Sequence, residues 1–321
     1  MLDAHQLNIF LAAAETLSFT QAAQLLHMSQ PSISQHIKSL EQHFDTPLFE
    51  RTGRRLQLSD AGEALLPLAR EMVSQSVRIE EEMASLDGEV FGHLKVGCST
   101  TPGKYVLPQL LARFHNQYPM VKVTCQVAPQ AKSIDNLCEG QVHFALSSHS
   151  HRQSCADAEF RLFMKDPVVL IAPLDHPWAK REEINPKELL EANFILREEE
   201  SGTFATVRDA LNTINFPMHT LNTLLTLGNS EAISLAVQEG LGVGFVSNTV
   251  VTGMRQPDIA VIPVHGLNIC RDIYIGRHVG RPATVAQAAF WKMIQNLKST
   301  SICGPGLEAL VFVNNETDSA V

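Results

Sequence analysis

A run of short polar side chains near residue 30 has the residue types that DNA bases and phosphates require. Ile33, Ile37 and Leu40 recur with the period of a helix, so the side chains between them lie on its opposite, solvent-facing side. Glutamine and lysine match the base edges of adenine and guanine, and serine contacts bases or phosphates. The pattern predicts a helix that docks in a DNA major groove. The candidate residues are Ser29, Gln30, Pro31, Ser32, Ser34, Gln35 and Lys38.

Three arginines follow this helix on a predicted hairpin. The segment ERTGRRLQL offers two short extended arms around Gly53, and Arg51, Arg54 and Arg55 lie at or near its tip. Arginines placed there can reach phosphates or the adjacent minor groove. Residues 1–60 hold four cations against six acids, but all four cations lie on the candidate helix or the hairpin. The local placement of charge therefore favours DNA binding despite the acidic total.

Capping signals predict the helices that position these residues. Leu7, Phe10 and Leu11 begin the apolar stripe of a first helix. Ser18 with Gln21 forms a capping-box pattern for a second, and Ser29 caps a third with Pro31 in its first turn. Three short helices, the last two joined by a tight turn, predict a helix-turn-helix. The alternative is a plain helical bundle with a solvated polar face.

A seven-residue apolar repeat runs through the long helix predicted next, over residues 60–90. Asp60 and Glu63 resemble a capping box at its start, and Pro67 indicates a slight bend. A heptad repeat is typical of a coiled-coil seam, so the helix is expected to pair with a second copy of itself. An amphipathic helix that packs on its own domain is the alternative. The repeat consists of Leu65, Met72, Ile79 and Leu86.

Beyond Gly92 the pattern changes to strands that alternate with helices. This alternation predicts an α/β domain with a mostly parallel sheet that is covered on both faces. The predicted strands are 93–98, 121–127, 143–148, 168–173, 223–227, 242–247, 259–264 and 272–276.

Two hydroxyl-rich segments are predicted to lie at helix N-termini of this domain. Ser99, Thr100 and Thr101 follow the first strand, and Ser201-Gly202-Thr203 begins a later helix. Free N–H groups there favour anions, so the two clusters are expected to clamp a small carboxylate, sulfate or phosphate. Simple helix capping is the alternative role for these hydroxyls. The acids at 198–200 leave a cationic or zwitterionic ligand open as well.

The N-terminal motifs SFTQAAQLLHMSQPSISQHIKSLE and PLFERTGRRLQLSDAG, with the long helix after them, resemble the LysR-type transcriptional regulators. The resemblance covers nearly all of residues 1–300. It implies a winged helix-turn-helix at 1–59, a linker and dimerisation helix at 60–90, and at 91–300 a two-lobed α/β effector domain like the type 2 periplasmic binding proteins. The tail at 301–321 has no assigned role. One departure is Gln35, where many members carry arginine.

The same resemblance implies a bacterial, cytoplasmic protein that acts as a homodimer or homotetramer. Its implied partners are double-stranded promoter DNA, a small-molecule effector and RNA polymerase. The family positions that line the cleft between the lobes support Ser99, Thr100, Thr101, Thr203 and Phe204, and more weakly Ser147 and Asn229.

Composition limits the other functions. The chain has 321 residues, 45% of them hydrophobic and 18% charged, and no apolar run long enough to cross a membrane. A net charge of −9 argues against a wholly basic nucleic-acid coat. Six cysteines lie far apart in sequence, so no close redox pair is expected and reduced thiols are predicted. His143, His149 and His151 are expected in a solvated loop rather than on a metal.

We therefore expect no metal, no cofactor and no catalysis, because no Ser-His-Asp order, paired-carboxylate motif or phosphate loop is present. Two functions compete with transcriptional regulation. One is a small-molecule binding protein whose N-terminal segment serves only oligomerisation. The other is an α/β enzyme that uses the cleft for catalysis.

Overall fold

The computed structural model describes residues 1–53, 55–86, 88–148, 155–254 and 258–297, which fall into two compact units. The first unit is Met1–Phe91, and the second begins at Gly92. Arg54, His149, His151 and the tail at 301–321 lie outside the described residues. Among the described helices, none is both long and apolar enough to cross a membrane.

The first unit begins with the three expected helices: α1 (Ala4–Thr16), α2 (Phe19–Leu25) and α3 (Gln30–Phe44). Ser18 caps α2 by accepting a hydrogen bond from the Gln21 amide at 3.3 Å, and Ser29 caps α3 by accepting from the Ser32 amide at 3.2 Å. Ile33, Ile37 and Leu40 of α3 are buried in the core of this unit. The capping and packing confirm the helix-turn-helix expected from the sequence.

The predicted hairpin is present as β1 (Phe49–Thr52) and β2 (Arg55–Leu58). The strands pair antiparallel, with Phe49 opposite Leu58 and Thr52 opposite Arg55. Gly53 at the tip has φ +67°, a left-handed conformation that glycine adopts without steric cost. Phe49 packs against the rings of Phe10 and Phe19, which fixes the hairpin to the helices.

The long helix α4 (Asp60–Ala84) begins one residue earlier than a capping box at Asp60 and Glu63 would place it. Its cap is Ser59, whose hydroxyl accepts from the Gly62 amide at 3.1 Å and donates to the Pro47 carbonyl at 2.6 Å. The proposed capping box was wrong because Asp60 already lies within the helix. Its negatively charged side chain lies in the first turn, where it interacts favourably with the positive end of the helix dipole.

The second unit is built on one nine-stranded sheet. Its strands are β3 (Gly92–Cys98), β4 (Val121–Val127), β5 (Phe144–Ser147), β6 (Ala158–Pro173), β7 (Asn193–Arg197), β8 (Asn222–Leu227), β9 (Val243–Ser247), β10 (Ile259–Ile262) and β11 (Ile269–His278). The strand order is β4-β3-β5-β11-β6-β9-β7-β8, and β10 pairs with β6.

The pairing divides this sheet into two lobes. β4, β3 and β5 are parallel, and β9, β7 and β8 are parallel, as expected. Between these groups β6 and β11 run antiparallel to their neighbours and to each other. The two crossing strands therefore connect a first lobe, built on β3–β5, to a second lobe, built on β7–β10. This is the two-lobed architecture that the family resemblance implied.

Six α-helices, one π-helical turn and three 3₁₀ segments are described around this sheet. A π-helical turn (Pro102–Val106) leads into α5 (Leu107–Gln117), and α6 (Gln130–Cys138) and α10 (Val285–Asn296) also pack on the first lobe. The second lobe carries α7 (Gly202–Thr213), α8 (Ser230–Gln238) and the short α9 (Asn248–Gly253). Short 3₁₀ turns occupy Pro177–Lys180, Pro186–Glu191 and Met218–Thr220.

Candidate functional site

The polar surface of α3 matches the predicted DNA-reading face. Gln30, Pro31, Gln35 and Lys38 are exposed, while Ser32 and Ser34 are half-buried between them and the apolar side. The Gln30 side-chain amide donates to the Ser34 hydroxyl at 2.8 Å, which holds one side chain against the next helical turn. Ser29 is exposed at the N-terminus of α3, where it caps the helix. A major-groove reader presents its N-terminal residues in this manner.

The hairpin adds cations within the same unit. Arg51 on β1 and Arg55 on β2 are both exposed, and Arg55 follows the turn at Gly53. Arg54 was predicted to act with them and lies outside the described residues. Exposed arginines on a hairpin tip can contact phosphates without strain, because their long side chains are not held by the core.

The first hydroxyl cluster follows β3 in the first lobe. Ser99 is half-buried, Thr100 is exposed and Thr101 is buried beside the π-helical turn. The Ser99 carbonyl accepts from the Gly103 amide at 3.0 Å. Ser99 and Thr100 are therefore the members of this cluster whose side chains a ligand can reach.

The second cluster lies where the second lobe meets the first. Ser201 caps α7 by accepting from the Thr203 amide at 3.2 Å. Gly202 is pressed against the first lobe: a Cβ atom there would lie 2.2 Å from the Ser148 hydroxyl and 2.9 Å from the Gln130 side-chain oxygen. A larger residue at this position would have to displace the Ser148 side chain. The junction thus brings the N-terminus of α7 to the residues that follow β5.

Three other predicted effector residues are held by the fold itself. Thr203 is buried, and its hydroxyl accepts from Arg271 at 3.0 Å. Asn229 caps α8 by accepting from the Ala232 amide at 2.7 Å, and Ser147 is buried at the end of β5. Their contact with an effector stays a prediction, but each has a structural role as well.

Phe204 lines a different part of the second lobe. It borders a cavity of about 510 Å³ between α7 and β8, together with Arg208, Met218, Thr223 and Thr226. This cavity is large enough for a small molecule. The assignment of Phe204 to the cleft between the lobes stays a prediction.

A second contact between the lobes was not foreseen from the sequence. Glu231 in the first turn of α8 accepts from Lys104 at 2.5 Å and from the Tyr105 hydroxyl. These hydrogen bonds lower the pKa of Glu231, and burial together with this contact raises the pKa of Tyr105. The Tyr105 ring also lies against Gly253, where a Cβ atom would be 2.4 Å from it.

The expectation that the cysteines form no close pair was wrong. Cys98 on β3 and Cys125 on the neighbouring β4 have sulfur atoms 3.5 Å apart. The hydrogen bond with Cys98 lowers the pKa of Cys125 to about 7, and the same contact raises that of Cys98. Sequence separation hid this pair because parallel pairing of β3 with β4 brings distant residues together.

His143 is also placed differently from the expected solvated loop. It is half-buried beside β3, its Nδ1 accepts from the Lys95 amide at 3.2 Å, and its own amide donates to the Lys95 carbonyl at 2.8 Å. Burial lowers the pKa of His143 to about 3, so the ring is neutral near pH 7. Across the described part of the chain, no group of three or more His, Cys, Asp or Glu side chains could hold a metal ion.

The buried ion pair of Asp166 with Arg271 was also missed. The two residues lie opposite each other on β6 and β11, and Arg271 donates to the Asp166 carboxylate. A signal was present in the sequence, because Asp166 directly precedes the apolar run at 167–173 of β6. A charge within a buried strand indicates a specific partner.

Comparison with protein families gives two matches in this order along the chain. Residues 4–63 match the bacterial regulatory helix-turn-helix proteins of the lysR family, and residues 87–298 match the LysR substrate binding domain. The first match contains α1–α3 and the hairpin. The second contains both lobes of the sheet.

Individual proteins extend over most of the chain. The HTH-type transcriptional activator CmpR of Synechocystis sp. is 32% identical over 275 residues, 84% of this chain and 88% of CmpR. The RuBisCO operon transcriptional regulator of Acidithiobacillus ferrooxidans is 29% identical over 308 residues, 94% of this chain and 96% of that protein.

Solved structures show the same fold. CbnR complexed with its target DNA aligns with a TM-score of 0.64 at 22% identity, covering 92% of this chain and 99% of CbnR. The regulatory domain of CcmR from Synechocystis PCC6803, in complex with 2-PG, aligns with a TM-score of 0.57 at 25% identity. It covers 63% of this chain and 95% of that domain.

Proposed function

We propose a mode of action for this chain, which belongs to the LysR family of transcriptional regulators: two copies pair, bind a partly palindromic promoter site, and respond to a small anion. Residues 1–59 would contact DNA, 60–90 would join the copies as a homodimer or within a homotetramer, and 91–300 would hold the effector. The protein would act in the cytoplasm by binding alone, without catalysis, and would present the promoter to RNA polymerase.

One observation carries the DNA-binding proposal. α3 buries Ile33, Ile37 and Leu40 and leaves Gln30, Gln35 and Lys38 in solvent. A capped helix with a polar exposed face, in the same unit as a hairpin that carries arginines, has the donors and acceptors that base edges and phosphates need. The arginines of the hairpin would supply phosphate contacts, which position the helix but do not select a sequence.

The effector proposal rests on the hydroxyls of Ser99 and Thr100 and on the N-terminus of α7 beside Gly202. A helix N-terminus favours negative charge. The related CcmR regulatory domain binds 2-PG, so 2-PG is the first anion to test with this chain. Because several relatives regulate RuBisCO operons, genes of carbon fixation are the first targets to look for.

Genomic capture tests the DNA-binding proposal. Fragmented genomic DNA is incubated with the full-length protein at near-physiological salt, and bound fragments are sequenced. We expect enrichment of a few partly palindromic sites and its loss in a Gln30→Ala/Lys38→Ala variant. Gln42→Ala, an exposed change at the other end of α3, is the matched control and should retain the sites.

If the double variant enriches the same sites as the wild type, α3 does not read the DNA. If the wild type enriches none, with or without 2-PG, the protein is better described as a small-molecule binding protein that uses its first unit for oligomerisation.

A further inference from the structure

The crossing strands carry a buried ion pair at the point where the lobes join. Asp166 on β6 and Arg271 on β11 are direct cross-strand partners, and their side chains are 1% and 6% exposed. Charges this deep in a protein persist only when each has matched partners. The partners therefore show which elements the pair holds together.

The Asp166 carboxylate holds the start of α9. One of its oxygens accepts from the Ser247 hydroxyl at 2.6 Å and from the Thr249 hydroxyl at 3.0 Å. Ser247 also caps α9 by accepting from the Thr249 amide at 3.2 Å. The other carboxylate oxygen accepts from Arg271. Both oxygens are thus satisfied, and α9 is fixed to β6.

The Arg271 guanidinium holds the start of α7. While one terminal nitrogen binds Asp166, the other donates to the Thr203 hydroxyl at 3.0 Å. The planar fork of an arginine binds two partners in a fixed geometry, which a lysine ammonium cannot do. α7 and α9, which are not neighbours in sequence, are therefore joined through one guanidinium and one carboxylate.

Both ends of this network lie at contacts between the lobes. Thr203 adjoins Gly202, which is pressed against Ser148 and Gln130 of the first lobe. At the other end α9 finishes at Gly253, which lies against the ring of Tyr105. The network thus runs from one lobe contact to the other through the crossing strands.

We propose that Asp166 and Arg271 are positioning residues that couple these two lobe contacts, so that an event at the N-terminus of α7 changes how α9 meets the first lobe. The proposal rests on the proposed function only in that the event would be effector binding. A ligand that displaces Thr203 or its helix would weaken the hydrogen bond that Arg271 donates to the Thr203 hydroxyl. The change would reach α9 through Asp166.

Hydrogen exchange of the full-length protein tests the coupling without DNA or ligand. Thr203→Val keeps the side-chain volume but removes the hydroxyl that accepts from Arg271. We expect faster amide exchange in a peptide over 201–206 and also in a peptide over 247–254. We expect exchange in both peptides to be about fivefold faster, because the loss of one hydrogen bond changes an opening equilibrium by about that factor. Thr203→Ser keeps the hydroxyl and should leave exchange in both peptides at the wild-type rate.

Thr206→Val is the matched control. The Thr206 hydroxyl donates only within its own helix, to the Gly202 carbonyl at 2.8 Å. This change should speed exchange in α7 and leave the 247–254 peptide unchanged. Acceleration confined to α7 in Thr203→Val, or acceleration of α9 by both variants, would overturn the coupling. Neither result depends on whether the protein captures genomic sites, so the two proposals fail independently.

Discussion

At the scale of single residues, the reactivity of Cys125 follows from one contact. Its sulfur is 3.5 Å from that of Cys98, and this hydrogen bond lowers the pKa of the exposed Cys125 to about 7, against the ordinary value of 9.0. The thiolate is the nucleophile, so alkylation accelerates as pH rises through the pKa. We predict a midpoint near pH 7 for iodoacetamide labelling of the peptide that contains Cys125, measured by mass spectrometry.

Removing the contact should move that midpoint upward. In Cys98→Ala the Cys125 thiolate loses the hydrogen bond that lowers its pKa, so labelling at pH 7 should slow and the midpoint should rise towards pH 9. Cys138→Ser leaves the Cys98–Cys125 pair intact and serves as the control. An unchanged midpoint in Cys98→Ala would mean that the pair does not set the pKa.

At the scale of elements, the fit of α4 against the hairpin depends on one small residue. Gly62 is buried, and a Cβ atom there would lie 2.2 Å from the Leu48 carbonyl oxygen and 2.9 Å from the Leu58 side chain. That carbonyl cannot easily move, because it accepts from the Ser59 amide at 3.0 Å. The glycine keeps α4 close to the end of the hairpin.

We predict that Gly62→Ala destabilises the protein. Alanine favours a helix over glycine by about 1 kcal/mol. Steric overlap at a packed site costs about 1–3 kcal/mol and here meets backbone rather than a flexible side chain. Urea unfolding followed by circular dichroism should show a net loss of stability. Gly228→Ala, with nothing within 4 Å of its Cβ, should show none. A Gly62→Ala protein as stable as the wild type would refute this packing argument.

The elements that the sequence predicted are those with local signals. Ser29 and the stripe of Ile33, Ile37 and Leu40 indicate α3 within a few residues, because capping and periodicity act over short distances. β7 was missed, since its short apolar run precedes three acids and has no alternation. The second half of β6 was predicted and the first half was not, because polar residues interrupt the stretch near Asp166.

The residues of the candidate site were likewise predictable only where their sequence signal is local. The hydroxyl clusters could be found because serine and threonine mark helix starts in the sequence. The partners of those clusters could not: Gln130, Ser148 and Arg271 reach α7 only through the pairing of strands distant in sequence. Long-range partners of this kind depend on the register of the crossing strands.

At the scale of the whole molecule, the heptad of α4 divides into two parts. Leu65 is buried in the core of its own unit with Ala69. Met72 and Ile79 are 37% and 57% exposed, and Leu86, which lies beyond the end of α4 at Ala84, is 74% exposed. The N-terminal part of the repeat, at Leu65, therefore stabilises the first unit. The rear of the repeat, from Met72 onwards, is the part available to a second copy.

A charge in the rear of the repeat should separate the copies. We predict that Ile79→Asp lowers the mass measured by sedimentation equilibrium to half that of the wild type or less, because an aspartate would be desolvated at the seam. Ser74→Asp places the same charge on an exposed position away from the repeat and should not change the mass.

Separated copies neutralise half as many phosphates in each bound complex. The slope of log affinity against log salt for a captured site should therefore fall by half in Ile79→Asp. Equal masses for Ile79→Asp and the wild type would assign the pairing to another surface, and α4 would then be an amphipathic helix of its own unit alone.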